Sequence, residues 1–449
     1  MLFSSITYIY VLLQAFVSIY YLTVKRFKNV TLLVLSLFFY SAERPSFLFL
    51  MLGSILLAYV NGLCIDRYKN RGIFVFAVLC CLAPLLFYKY TDFFVENVNL
   101  LCGTDFEPLH LILPLGISFY TFQILSYLID VRRGRIPVER NLLNLALYIC
   151  FFPQLVAGPI VTYDRIYQQL RKRTHTLEKI YHGILYFSIG LGKKVLLANQ
   201  LGEFCSYYSP GSDILMTWTY AVAYSLQIYF DFSGYSDMAI GLGKMFGFEL
   251  PRNFNYPFTC TSIQDFWRRW HMTLSSFFRD YVYIPLGGSR CSKKRHIFNL
   301  FVVWFLTGMW HGANWNFICW GLLFCILLIA EKYMIKDRLN PVFQRILSLF
   351  LVLISFLIFG ADSMPEAWTG IRHLFFGTFV SKDTLFLILN YLFLIIISVI
   401  GATPFSKNLY IRFKKQLSLL EPIFIVFLLL TSTAYLVNGS FNPFLYFRF

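Results

Sequence analysis

Apolar positions along this chain fall in long blocks, without the alternation of half-buried strands or the one-sided periodicity of soluble helices. Residues 1–24 carry no formal charge, nor do residues 46–65 or 297–330. About 18 or more apolar residues in a row suffice to cross the roughly 30 Å hydrocarbon core of a bilayer. The blocks therefore predict membrane-crossing helices near 3–24, 30–42, 46–64, 72–89 and 109–129, and further ones near 183–200, 214–230, 297–330, 343–360, 384–402 and 422–438. The run 30–42 is short, so it is tilted, bent or only partly inserted. Residues 1–24 lack a basic leading region and a small-residue cleavage site, and Lys25, Arg26 and Lys28 follow them, so they read as a first span rather than a secretory signal.

Two runs depart from simple crossings. The run 142–161 contains Pro153 and the pair Gly158–Pro159, which interrupt helices. A full crossing there would also put the basic stretch Arg165–Lys179 outside, against the inward bias of Lys and Arg. A re-entrant segment surrounded by protein resolves the conflict. The run 297–330 has 34 residues, about 51 Å as one straight helix, so it is either strongly tilted or broken in the middle, where Gly308 and Gly312 sit. The expected fold is an all-α polytopic membrane protein, one domain over residues 1–449 with about ten transmembrane or re-entrant helices.

Composition agrees: 58% of the 449 residues are hydrophobic and 14% charged, against about 25% charged in a soluble domain. The net charge of +16 raises the question of nucleic acid. The positive residues, however, form short clusters between apolar runs (Lys25–Lys28, Arg67–Arg71, Arg132–Arg135), as cytoplasmic membrane loops do. No nucleic-acid partner is expected. A loop 91–108, with Asp92, Glu96, Asp105 and Glu107 and no Lys or Arg, is expected outside, and the N-terminus with it. Ten Cys without a C-x-x-C pair argue against a disulfide framework or a zinc site.

Candidate chemistry concentrates between residues 225 and 320. His311, in T-G-M-W-H-G-A-N-W-N-F, is the one group of the run 297–330 that titrates near neutral pH. Ionisable residues at membrane depth are expensive and face a cavity or a partner. A buried, neutral imidazole suits removal of a hydroxyl proton, and a structural His bonded to a neighbouring helix fits the position equally well. Asn314 and Asn316 add donors and acceptors nearby. Residues 264–281 pattern as one amphipathic helix, with Asp265, Arg268, Arg269, Ser275, Ser276, Arg279 and Asp280 on one face, aromatics on the other and His271 at the seam. Such a helix either anchors to the membrane surface or roofs a cavity, its cations facing an anionic ligand or developing oxyanion. Asp231 and Asp237 follow an apolar span and make a cation or proton path conceivable, while Gly241 and Gly243 fit close helix packing.

Together these stretches resemble the membrane-bound O-acyltransferase family, and within it the bacterial branch that acetylates exported polysaccharides such as alginate. The resemblance rests on L-P-L-G-I-S-F-Y-T-F-Q (113–123), F-P-Q-L-V-A-G-P-I (152–160), Y-F-D-F-S-G-Y-S-D-M-A-I-G (229–241), D-F-W-R-R-W-H-M-T-L-S-S-F-F-R-D-Y-V-Y-I-P-L-G-G (265–288), W-H-G-A-N-W-N-F (310–317) and the ending N-P-F-L-Y-F-R-F. It implies a ring of helices around a central passage, with His311 as principal catalytic residue and His271 as the second functional one. It also implies a multi-pass protein of the cell (inner) membrane with no bound cofactor. Acetyl coenzyme A or another acyl thioester would be the donor and a polysaccharide the acceptor, and a separate extracytoplasmic hydrolase-like acyltransferase would act as partner. Arg268, Arg269, Asn314 and Asp231 are the candidate substrate-binding residues. Two other readings stay open: a D-alanyl transferase for teichoic acid fed by a carrier protein, and a transporter of lipid-linked sugars. The latter predicts matched broken helices in both halves of the chain, and only the Gly308–Gly312 region breaks.

Overall fold

The computed structural model describes residues 3–439 except 43, 157, 336 and 337; the aromatic ending 442–449 lies outside the described residues. Among those described there is no strand, and six helices are long and apolar enough to cross a membrane: Phe47–Tyr68, Arg71–Cys102, Trp315–Ile335, Pro341–Gly360, Lys382–Gly401 and Lys414–Val437. All ten cysteines are free thiols. The chain divides into two compact units, residues 1–187 with 238–251 and residues 188–237 with 252–449.

The first unit begins with α1 (Leu13–Leu22), α2 (Lys28–Ser41), α3 (Phe47–Tyr68) and α4 (Arg71–Cys102). The side chain of Asn70 caps α4, accepting from Gly72 N at 2.6 Å, a frequent way to satisfy the orphan amides of a first turn. With 32 residues α4 is about 48 Å long. It runs through Asp92 and Glu96, so the acidic loop expected at 91–108 is helix as far as Cys102. Backbone amides of the returning chain explain the extension: Leu109 N and Leu111 N donate to the Asp92 carboxylate at 2.7 and 3.0 Å. The run 109–129 is likewise helical only from Ile117, where α5 (Ile117–Arg132) starts. Gly116 precedes it at φ +69°, and a Cβ there would fall 2.3 Å from the Leu155 carbonyl oxygen.

The run 142–161, expected to be re-entrant, consists of α6 (Leu142–Cys150), a break at Phe151 and α7 (Phe152–Leu155), and α8 (Tyr163–Arg171) follows it. Nine residues span about 14 Å, half a bilayer. Glu139 ahead of α6 is buried and fully engaged, accepting from Tyr163 Oη at 2.5 Å and Arg171 Nη2 at 2.8 Å. A carboxylate held in this way is structural.

Helix α9 (Leu177–Gly192) passes through a π turn at Lys193–Ala198 into α10 (Asn199–Ser206), and α11 (Ile214–Met245) is a single helix of 32 residues that carries the whole D-F-S-G-Y-S-D segment. Its glycines pack closely. A Cβ on Gly241 would meet Gly183 O at 2.5 Å, and one on Gly234 would meet Gly190 O at 2.7 Å. The second unit continues with α12 (Ile263–Arg269), α13 (Met272–Phe278), α14 (Lys293–His311), α15 (Trp315–Ala330), α16 (Pro341–Gly360), α17 (Met364–His373), α18 (Lys382–Gly401), α19 (Phe405–Arg412), α20 (Lys414–Leu417) and α21 (Glu421–Val437). The amphipathic helix expected at 264–281 is thus two helices. They kink at His271, whose backbone is left-handed at φ +41°, ψ +53°.

Candidate functional site

The run 297–330 is broken, and glycine decides how. A Cβ on Gly308 would lie 2.5 Å from Phe317 O, and one on Gly321 2.4 Å from Trp304 O. Without those side chains α15 returns antiparallel along α14 as a tight hairpin. His311 is the last residue of α14, Gly312 is extended, and Asn314 opens α15. Asn314 Nδ2 donates to Asp362 O at 3.1 Å and Asn316 Nδ2 to Ala361 O at 2.6 Å, so both amides tie the hairpin tip to the segment after α16.

His311 is 5% exposed and walled by rings, with centroids of Trp310 and Trp320 at 5.0 Å and of Phe359 at 5.4 Å. His271 is fully buried against Phe232 (4.6 Å) and the same Trp310 (5.7 Å). Both imidazoles therefore pack on one indole. His271 Nδ1 lies 3.2 Å from Asn253 Oδ1, which also accepts from Thr273 N (3.2 Å) and Thr273 Oγ1 (2.9 Å). Acceptance from a backbone N–H identifies that atom as the amide oxygen. The proton of a neutral His271 then resides on Nδ1, and Nε2 keeps the lone pair. Burial drives this imidazole far below its ordinary pKa, to about 3, so it is neutral at pH 7. Backbone bonds pin the kink as well: Met272 N donates to Asn253 O and Asn255 N to Arg269 O, both at 2.9 Å.

A cleft of about 1060 Å³ opens beside α12, α13 and α14. Arg268, Arg279 and Lys332 bring cations to its wall, and Ser275 and Ser276 bring hydroxyls. Trp304 and Thr307 of α14 line it too, on the helix face that one turn further carries His311. Neither His311 nor His271 lines the cleft itself. The two arginines read together from sequence part company: Arg268 reaches the cleft, while Arg269 Nε pairs with Asp265 at 3.0 Å, the expected i, i+4 partner. Asp231 is ion-paired with Lys194 at 2.6 Å, both almost fully buried, and Asp237 with Lys193 at 2.6 Å. Those lysines escaped the sequence reading because they sit inside the apolar run 183–200. The signal was present, since two charges within a predicted span demand opposite charges in a neighbouring one. Among the described residues no group of three or more His, Cys, Asp or Glu could hold a metal ion.

A buried imidazole at the tip of a helical hairpin, one turn from a cleft that carries Arg268, Lys332 and Glu331, is a candidate enzyme site in a membrane protein. Comparison with known proteins specifies which. The profile of the membrane-bound O-acyltransferase family matches residues 134–345, which include both histidines and every cleft residue. The chain is 39% identical over 397 residues to the probable alginate O-acetylase AlgI of Pseudomonas aeruginosa, covering 84% of this chain and 76% of that one. It is 40% identical over 341 residues to the peptidoglycan O-acetyltransferase of Helicobacter pylori (68% and 64% covered). To the teichoic acid D-alanyltransferase of Bacillus subtilis it is 31% identical over 293 residues (62% and 73%). The chain belongs to the membrane-bound O-acyltransferase family; it is a multi-pass membrane acyltransferase.

Proposed function

We propose that this protein moves an acetyl group from a cytoplasmic thioester donor to hydroxyls of an exported cell-surface polysaccharide, in the cell (inner) membrane. The placement of His311, on the α14 face that also lines the cation-walled cleft, carries the reading. His311 takes the proton of an acceptor hydroxyl as its oxygen attacks the acyl carbonyl. The C–S bond of the tetrahedral adduct breaks, and the departing thiolate takes up the proton from the imidazolium. General-base assistance of this kind contributes about 10²–10⁴-fold. Arg268 and Lys332 suit the phosphates of coenzyme A, for which Arg offers bidentate pairing, while Arg279 is paired with Asp280 at 2.7 Å. Arg269 and Asp231, each committed to an ion pair, and Asn314, committed to Asp362 O, act as supports. His271, held by Asn253 and sharing Trp310 with His311, positions the reacting ring.

The acetylases of alginate and peptidoglycan among the relatives, at 39% and 40% identity, favour acetyl and a polymeric acceptor over D-alanine, at 31%. A separate extracytoplasmic hydrolase-like acyltransferase completes delivery to the polymer in this reading. Mass analysis of the surface polysaccharide with and without the protein tests it, and acetate esters unchanged by its loss would overturn it. Incubating membranes with labelled acetyl coenzyme A or with an aminoacylated carrier protein separates the acetyl and D-alanyl reactions.

A further inference from the structure

Between the cleft and His311 stands a wall of indoles. Trp267 and Trp304 line the cleft with ring centroids 4.6 Å apart. Trp267 also packs on Trp320 at 5.7 Å and on Phe324 at 4.9 Å. Trp320, outside the cleft and 1% exposed, is one of the three rings that touch His311. Trp267 is thus a cleft-lining ring that packs directly on a ring of the His311 wall. We infer that Trp267 is a specificity-determining residue, a size filter that lets an acetyl thioester approach His311 and turns longer acyl chains away; the inference rests on the transfer reading above.

Two independent features single out Trp267 among these rings. It projects from α12, a helix of seven residues that ends at the His271 kink, whereas Trp304 and Trp320 are locked in the α14–α15 hairpin. Its indole N–H is buried, in a residue 7% exposed, with no hydrogen-bond partner among the described residues. A buried donor without an acceptor is costly and rare. The carbonyl oxygen of an acyl group entering past the ring is an acceptor of the right kind. Trp267 would thus hold a short acyl group by its carbonyl while its ring fills the space a longer chain needs.

The test uses membranes of cells that make the acetylated polysaccharide, so that the expected delivery partner is present, containing the full-length chain, with acetyl or butyryl coenzyme A as donor and transfer to polysaccharide as readout. Wild type is expected to use acetyl in preference to butyryl. Trp267→Ala should raise the butyryl-to-acetyl ratio of kcat/KM by at least about 10-fold, the scale on which apolar pockets discriminate added methylenes. Trp267→Leu, the variant to use if the alanine protein fails to accumulate, should move the ratio the same way. Trp267→Phe keeps a ring but no N–H, so it should retain the acetyl preference and transfer more slowly. A ratio unchanged from wild type in the Ala or Leu variant, with acetyl transfer intact, would overturn the filter and leave the transfer reading standing. No transfer by wild type from either donor would overturn the transfer reading and the filter with it.

Discussion

His311 and His271 pack on the same indole but are held in opposite ways. His271 is fastened by polar bonds: its Nδ1 meets Asn253 Oδ1, its backbone takes a left-handed turn, and Phe232 of α11 closes over its ring. His311 ends a helix among three aromatic rings, one turn beyond a residue that lines the cleft. A tightly anchored imidazole orients what surrounds it. One placed at the tip of a hairpin, one turn from a residue that lines the cleft, is better suited to meet a substrate. The difference makes His311 the candidate base and His271 the positioning residue.

The sharpest way to break that assignment is His311→Ala. Acyl transfer should fall by about 10³-fold, within the range for a lost general base, with normal membrane insertion; His271→Ala should fall less. Equal losses, or retained transfer in His311→Ala, would erase the distinction. Next in size is the buried ion pair of α11, the helix whose Phe232 packs on His271. Lys194→Met leaves the Asp231 carboxylate buried and uncompensated, which costs about 3–5 kcal/mol. Thermal unfolding in detergent should show the drop, and Lys194→Met combined with Asp231→Leu should recover most of it.

The His311 side is probed by Gly321→Ala. The added Cβ meets the Trp304 carbonyl oxygen at 2.4 Å, a backbone atom that cannot rotate away. Overpacking of this kind costs about 1–3 kcal/mol. Transfer should fall more than stability does, because the hairpin tip moves; a variant indistinguishable from wild type in both would count against the hairpin as the device that sets His311. Asn253→Ala removes the acceptor shared by His271 and Thr273, and should lower kcat about tenfold, the equivalent of about one hydrogen bond, with little change in KM. Smallest is a pH effect. The pKa of His271 is depressed in the folded protein to about 3 and near 6.5 when unfolded. The unfolded chain therefore binds more protons between those values, and stability is complete above about pH 6.5 and declines as pH falls toward 3. His271→Gln should flatten that slope in an acid unfolding series; an identical slope would place the burial elsewhere.

Much of the architecture was legible in the chain. The apolar blocks marked the six long helices, the prolines and glycine of 142–161 marked a run broken into short helices, and the Asp265–Arg269 spacing marked a real pair. The run 297–330 left tilt and breakage equally open, because apolar composition carries no direction. The helix expected at 264–281 misled for a related reason. Its 3.6-residue pattern is genuine on each side of His271, but the atoms that turn the chain there belong to Asn253 and Asn255, far back in sequence. The acidic stretch expected as a loop at 91–108 is helix as far as Cys102, with Leu109 and Leu111 returning to Asp92.

The order of residues thus determined that the protein is helical and membrane-embedded, and which two histidines merit attention, since hydrophobicity and titratable chemistry are properties of residues themselves. Tertiary structure alone decided that Lys193 and Lys194 neutralise Asp237 and Asp231, that Arg268 reaches the cleft while Arg269 does not, and that Trp267 lines the cleft and packs on Trp320 beside His311. Each of these depends on which helix packs beside which. Close approach at Gly308, Gly321, Gly234 and Gly241 sets that packing through contacts between segments distant in sequence.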